Sequence, residues 1–226
     1  MRGRSFFLLL LCLPLAAQAE SVTIAGKTIQ LVIPAGYCQL TKEKDAAFMR
    51  AAISSFDINN EVLAIFAACG ELDGFRRGSR DALDNFGQIL AQKTKKGAFM
   101  PIAGVSRQRF ITNITGRSFE SMDINRMNQE ISARYRNAFN SEALASEAQR
   151  PYLLGADNNG AYFGVQSRLV EMSGKRSNLF GVVGITLINE LSLTINIYEK
   201  FKGETPINGV LERQKKAVAA LVAANS

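Results

Sequence analysis

The densest run of chemically capable side chains is Glu71, Asp73, Arg76, Arg77 and Arg80, directly after Cys69. Arginine presents a planar fork of donors that matches phosphate and carboxylate groups. Arg76, Arg77 and Arg80 lie within one short stretch, and Gly74 and Gly78 would let backbone amides approach a ligand. The segment is therefore a candidate anion-binding loop. The competing reading is a solvated loop whose acids and arginines pair with one another, which needs no ligand. Acid–base catalysis by Glu71 and Asp73 is disfavoured, because carboxylates two residues apart in a loop rarely converge on one reacting atom.

The 226 residues include no histidine. That excludes Ser-His-Asp and Cys-His catalytic units and every histidine-ligated metal site. A general base near neutral pH would have to be a shifted carboxylate, lysine or cysteine. No glycine motif of a nucleophile elbow, a dinucleotide site or a phosphate loop occurs. Asp157-Asn158-Asn159-Gly160 has oxygen ligands but no glutamate at calcium-loop spacing, so it reads as a turn. Gly181 and Gly184 sit inside an apolar run and read as sites of close packing. The sequence thus assigns no catalytic residue, no metal ligand and no cofactor.

Basic residues outnumber acidic ones, 27 to 20. Small clusters at Lys93, Lys95 and Lys96, at Lys175 and Arg176, and at Lys215 and Lys216 could attract an anionic ligand or lipid surface. They lack the interleaved aromatics that stack bases, so nucleic acid is not expected as a partner. Asn113-Ile114-Thr115 is a glycosylation acceptor by pattern, relevant only in a eukaryotic host.

The amino terminus points to a compartment. Arg2 and Arg4 precede an apolar run over 6–17, and Ala17-Gln18-Ala19 has the form of a cleavage site. That is the pattern of a secretory signal peptide over 1–19, too short for a spanning helix. Cleavage would leave a chain from Glu20 and lower the formal charge from +7 to +5, since Arg2 and Arg4 leave with the leader. A periplasmic or secreted location follows. Two cysteines would remain, Cys38 and Cys69. In an oxidising compartment such a pair is expected to form a disulfide, closing a loop of about 32 residues.

These residues must be positioned by a fold of alternating strands and helices. Residues 22–24 and 29–33 flank Ala25-Gly26-Lys27 as a hairpin. Thr41 caps a helix over 42–56, with Phe48, Ala52 and Phe56 at helical spacing. Residues 62–69 form a continuous apolar run expected to be a buried strand, followed by a loop over 70–80. Residues 82–92 suit either helix or strand, and a neighbouring strand to pair with favours strand over 83–91. A short extended piece is expected over 99–105. A mainly helical stretch follows over 106–146, broken near Gly116, with a stripe at Ile124, Met127, Ile131 and Tyr135. Four further strands, over 152–154, 161–172, 179–188 and 191–201, are joined by turns at Asp157–Gly160, Ser173–Ser177 and Asn189-Glu190, and Thr205-Pro206 opens a closing helix. Short turns between the last strands require antiparallel pairing. The expectation is one α+β domain over 20–226, with an antiparallel sheet of about five to seven strands between helices, an α-β-α sandwich.

This order of elements resembles the PsbP-like superfamily. The similarity rests on Ile33-Pro34-Ala35-Gly36-Tyr37, a strand closed by Pro, Gly and an aromatic, and on the last strand over 191–198 followed by the helix over 206–224. The cysteine pair and the long helical middle depart from that pattern. The resemblance implies a binding or assembly factor and carries over no functional residue. The leading expectation is a non-catalytic exported factor acting on an envelope protein. One alternative is a hydrolase or transferase using carboxylate or lysine chemistry. Another is an anion or membrane-surface binder working through Arg76, Arg77 and Arg80.

Overall fold

The chain enters through a hairpin. β1 (Ala19–Ile24) and β2 (Lys27–Val32) are joined by Ala25 at φ 49° and Gly26 at φ 75°. Two successive left-handed residues match the right-handed twist of the strands they connect. The computed structural model describes residues 19–226, except 55, 57–58, 81, 95, 100, 118, 141–144 and 171–174. The expected leader, apart from Ala19, thus lies outside the described residues. So do Lys95 and the Ser173-Gly174 part of the expected turn.

β3 (Tyr37–Gln39), α1 (Lys42–Ser54), β4 (Asn60–Ala68) and α2 (Cys69–Arg76) come next. The sequence led us to expect a loop after β4, whereas Cys69 to Arg76 is helical. Leu72 explains the difference: it is fully buried, and one helical turn brings it and Phe75 onto the underside of the sheet. The ambiguous stretch is a strand, β5 (Asn85–Gln92), because it pairs on one side with β4 and on the other with β10 (Leu191–Phe201). Only an isolated bridge, Lys93 to Phe99, marks the start of the expected extended piece.

The helical middle splits into α3 (Arg107–Thr115) and α4 (Ile124–Phe139), each capped by a side chain, Ser106 and Asp123. A short strand, β6 (Ala145–Ala148), was not anticipated. β7 (Tyr152–Ala156), β8 (Ala161–Val170) and β9 (Arg176–Ile188) then lead to β10 through Asn189 and Glu190, both left-handed. The closing helix, α5 (Ile207–Ala223), begins immediately after Pro206.

The main sheet has eight strands, one more than the upper expectation, in the order β3-β4-β5-β10-β9-β8-β6, with β7 also on β8. Every pairing is antiparallel. Side-chain alternation divides it into two faces. Ala64, Phe66, Ile89, Val182, Leu193, Ile195 and Ile197 face α5 and the β1–β2 hairpin. Ile65 and Ala67 face α1 and α2, while Phe163 and Leu187 face α3. Helices thus cover both faces, and the fold is α+β. Gly184 permits the close approach of α5: a Cβ there would lie 2.4 Å from Gln214 Nε2 and 2.7 Å from Val218 Cγ2. Its role, like that of Gly181 under the Tyr198 ring, is close packing.

Candidate functional site

The cysteines predicted to pair do so. Cys38 of β3 and Cys69 at the start of α2 are disulfide-bonded across 31 residues, with their Cα atoms 4.9 Å apart. The bridge sits where β3 already pairs with the end of β4, so it holds α2 against the sheet.

The arginine cluster closes on itself. Arg76 donates from Nε and Nη2 to the two oxygens of Asp45, at 2.9 and 2.6 Å. The Asp45 side chain is fully buried and also accepts from the Thr41 amide at 2.8 Å. This bidentate pair ties α2 to the first turn of α1. Arg80 donates to the Ala82 carbonyl at 2.8 Å and is ion-paired with Asp84. Glu71 accepts from the amides of Asp84 and Asn85, at 2.7 and 3.0 Å, and from Asn85 Nδ2 at 2.8 Å. It thereby fixes the entry to β5. Of the three arginines proposed as an anion loop, Arg76 and Arg80 are engaged in structural pairs. Arg77 projects into solvent.

The electrostatics agree with that role. Burial alone would raise the Asp45 carboxyl, but its bonds from Arg76 and Thr41 outweigh burial and hold it below the usual carboxylate range. Glu71 follows the same logic: desolvation is opposed by Asn85, by the Asp84 amide and by Arg80, and the net shift is downward. These are carboxylates held ionised by structural partners, not a pair pushed apart for acid and base duty.

The other sequence candidates are structural or isolated. Asp157 accepts from the amides of Asn159 and Gly160 at 2.8 and 3.1 Å, and from Tyr162 Oη at 2.9 Å. Both its oxygens therefore serve the turn and the core. Lys93 pairs with Glu61 and Lys215 with Glu212. Among the described residues, no group of three or more cysteine, aspartate or glutamate side chains is arranged to hold a metal ion, and no helix is long and apolar enough to cross a membrane.

An open groove lies at the other end of β4. β3 covers only Phe66 to Ala68, and the Leu40 amide reaches the Ile65 carbonyl at 2.9 Å. There the chain turns away into α1. Over 61–64 the outer flank of β4 faces no further strand among the described residues. A groove of about 570 Å³ runs along this flank, with Met49 and Ile53 of α1 and Phe56 as its apolar wall. Lys42, Ala46, Met49, Arg50 and Ile53 share one side of α1. Ile53 is 44% exposed, and Lys42 and Arg50 are exposed as well. Of the nearby acids, Glu61 pairs with Lys93 at 2.6 Å and Glu20 accepts from Gln39 at 2.9 Å. Glu43 lies between Lys42 and Lys44: bonds from its own amide and from Thr41, helped by those two charges, hold its carboxyl below the ordinary range. The register shift between Val62 and Ala64 places a bulge at this open edge.

Sequence reasoning did not single out this groove. One signal was present: α1 carries apolar residues at 48, 49 and 52, which pack on the core beneath the sheet, and also at 46 and 53, which lie outside it. A helix with a second apolar side has more than one surface to cover.

No family model matches this sequence, and no curated protein matches it either.

Proposed function

We propose that this chain is an exported, non-catalytic binding or assembly factor that engages an envelope protein through the groove between α1 and the open edge of β4. One observation carries the reading. An exposed isoleucine, the Lys42 side chain and a strand flank that meets no further strand among the described residues line one concave surface. Exposed apolar side chains rimmed by polar ones mark interaction sites. The Cys38–Cys69 disulfide supports an oxidising compartment. The Arg2/Arg4 region, the apolar run and Ala17-Gln18-Ala19 support export by a cleaved leader, with the periplasm as destination. The order of elements supports the same role through its similarity to the PsbP-like superfamily.

The test is a pull-down from an envelope extract with the 20–226 chain and its Ile53→Asp variant. Ile53 is 44% exposed and belongs to none of the buried core clusters, so the substitution leaves the core intact. A partner retained by the natural chain and lost by the variant supports the reading. A partner recovered equally by both removes the groove from it.

A further inference from the structure

We infer that the middle of the main sheet, on the side away from α5, holds a further binding site, for a small neutral molecule with an apolar body and at least two N–H or O–H donors. The site is separate from the α1–β4 groove and does not depend on the partner proposed for it.

Along β10, Leu191, Leu193, Ile195 and Ile197 alternate with Ser192, Thr194, Asn196 and Tyr198. A strand of this kind normally keeps its polar side in water. β10 is instead central, between β5 and β9, and Ser192 and Asn196 are buried. Its polar side therefore faces the interior.

The two faces of the sheet differ accordingly. Toward α5 the core is continuous, from Phe66 through Ile89, Ile195 and Val182 to Tyr162. On the opposite face one register row runs Ile65, Gln88, Asn196, Val183, Phe163, from β4 to β8. Its ends belong to separate apolar clusters, one under α1 and α2 and one under α3. Between them Gln88 and Asn196 are each 3% exposed. Their carbonyl oxygens, Oε1 and Oδ1, accept no hydrogen bond among the described residues. Buried acceptors are costly unless a donor meets them. Burial raises the neighbouring Tyr198 phenol above its ordinary value, and Asn196 donates to its oxygen.

The helix over this side is seated loosely. α5 buries Val210, Gln214, Val218 and Leu221, and α3 buries Phe110, Ile111 and Ile114. α4 bridges α1 and β6, yet its stripe of Ile124, Met127, Ile131 and Tyr135 is only half-buried. A helix packed directly on a sheet buries such a stripe. Access to the polar seam thus runs beside α4.

Two acceptors call for a ligand that donates twice. The adjoining rows, Val62–Leu90–Thr194–Ile185 and Ala67–Phe86–Tyr198–Gly181, carry no charged residue. A buried ion would find no counter-charge on the sheet, which selects a neutral ligand. The rings of Phe86 and Tyr198, 5.4 Å apart and stacked, offer its apolar body a surface.

Benzamide, benzoate and benzamidinium share one ring and differ in donors and charge. Each is titrated into the isotope-labelled, oxidised 20–226 chain, and the side-chain amides of Gln88 and Asn196 are followed by NMR. Benzamide is expected to shift both signals saturably, with the other two at least about tenfold weaker. Gln88→Met and Asn196→Leu should each hold or raise the thermal midpoint, because an unpartnered buried acceptor is removed, and should weaken benzamide about tenfold. Ile53→Asp should leave benzamide binding unchanged. Benzoate or benzamidinium binding as tightly as benzamide overturns the neutral-donor class. Side-chain amides that none of the three probes moves overturn the site. A sharply lowered midpoint in both amide variants also overturns it, since the amides would then be structural partners.

Discussion

The two ends of β4 received opposite treatment. At its carboxyl end the edge is paired by β3, bridged by Cys38–Cys69 and buttressed by Asp45–Arg76 and by Glu71 on the start of β5. At its amino end the outer flank meets no further strand among the described residues, and Ile53 is 44% exposed beside it. Charge density alone would pick the first as the functional site. Satisfaction of the groups picks the second. A cluster whose donors and acceptors meet one another has little left to offer a ligand, whereas an exposed apolar side chain beside an open strand flank does.

The contrast breaks most severely if the staple is removed. Replacing both cysteines, Cys38→Ser with Cys69→Ser, is expected to lower stability by about 3 kcal/mol in urea unfolding, the usual worth of closing a loop of this length. Asp45→Asn should cost about 2 kcal/mol, because it strips charge from a buried partner of Arg76 and leaves the guanidinium half-satisfied. Differential scanning at fixed pH would register both.

Acid should act through the same end of β4. Asp45 and Glu71 have folded-state values below their ordinary ones. Their contribution is complete above the ordinary carboxylate range, near pH 4, and is lost as pH falls through the lower folded-state values. Unfolding free energy should therefore decline from about pH 4.5 downward, and the decline should be shallower in Asp45→Asn than in the natural chain. A parallel pH profile for the two proteins would mean that Asp45 does not hold the pair.

The smallest stability effects belong to the exposed members of both regions. Arg77→Ala and Ile53→Asp should each change stability by less than about 0.5 kcal/mol. Their difference is functional: only Ile53→Asp should cost partner binding.

Much of the fold was readable because the signals were local. The continuous apolar run of β4, the Asp157–Gly160 turn and the alternation of Leu191, Leu193, Ile195 and Ile197 each report their own environment. α2 was missed because Gly70 and Gly74 suggest a loop, while its helix is secured by tertiary burial of Leu72 and by the disulfide at its first residue. β5 was ambiguous for the same reason, since its strand character comes from neighbours far away in sequence. The disulfide was legible from two cysteines and a leader pattern. The fate of the arginines was not, because Asp45 lies 31 residues before Arg76 and nothing in the spacing announces their meeting. The groove was hidden more deeply still. It exists because β3 ends at Gln39, and a strand's length depends on where its partner lets go.

The most direct test places a photo-crosslinking amino acid at position 53, and separately at position 77, in the protein made by its native cells. The account predicts a discrete crosslinked partner from position 53 and none from position 77. A partner captured from position 77 alone would contradict it, and would return the arginine segment to the centre of the function.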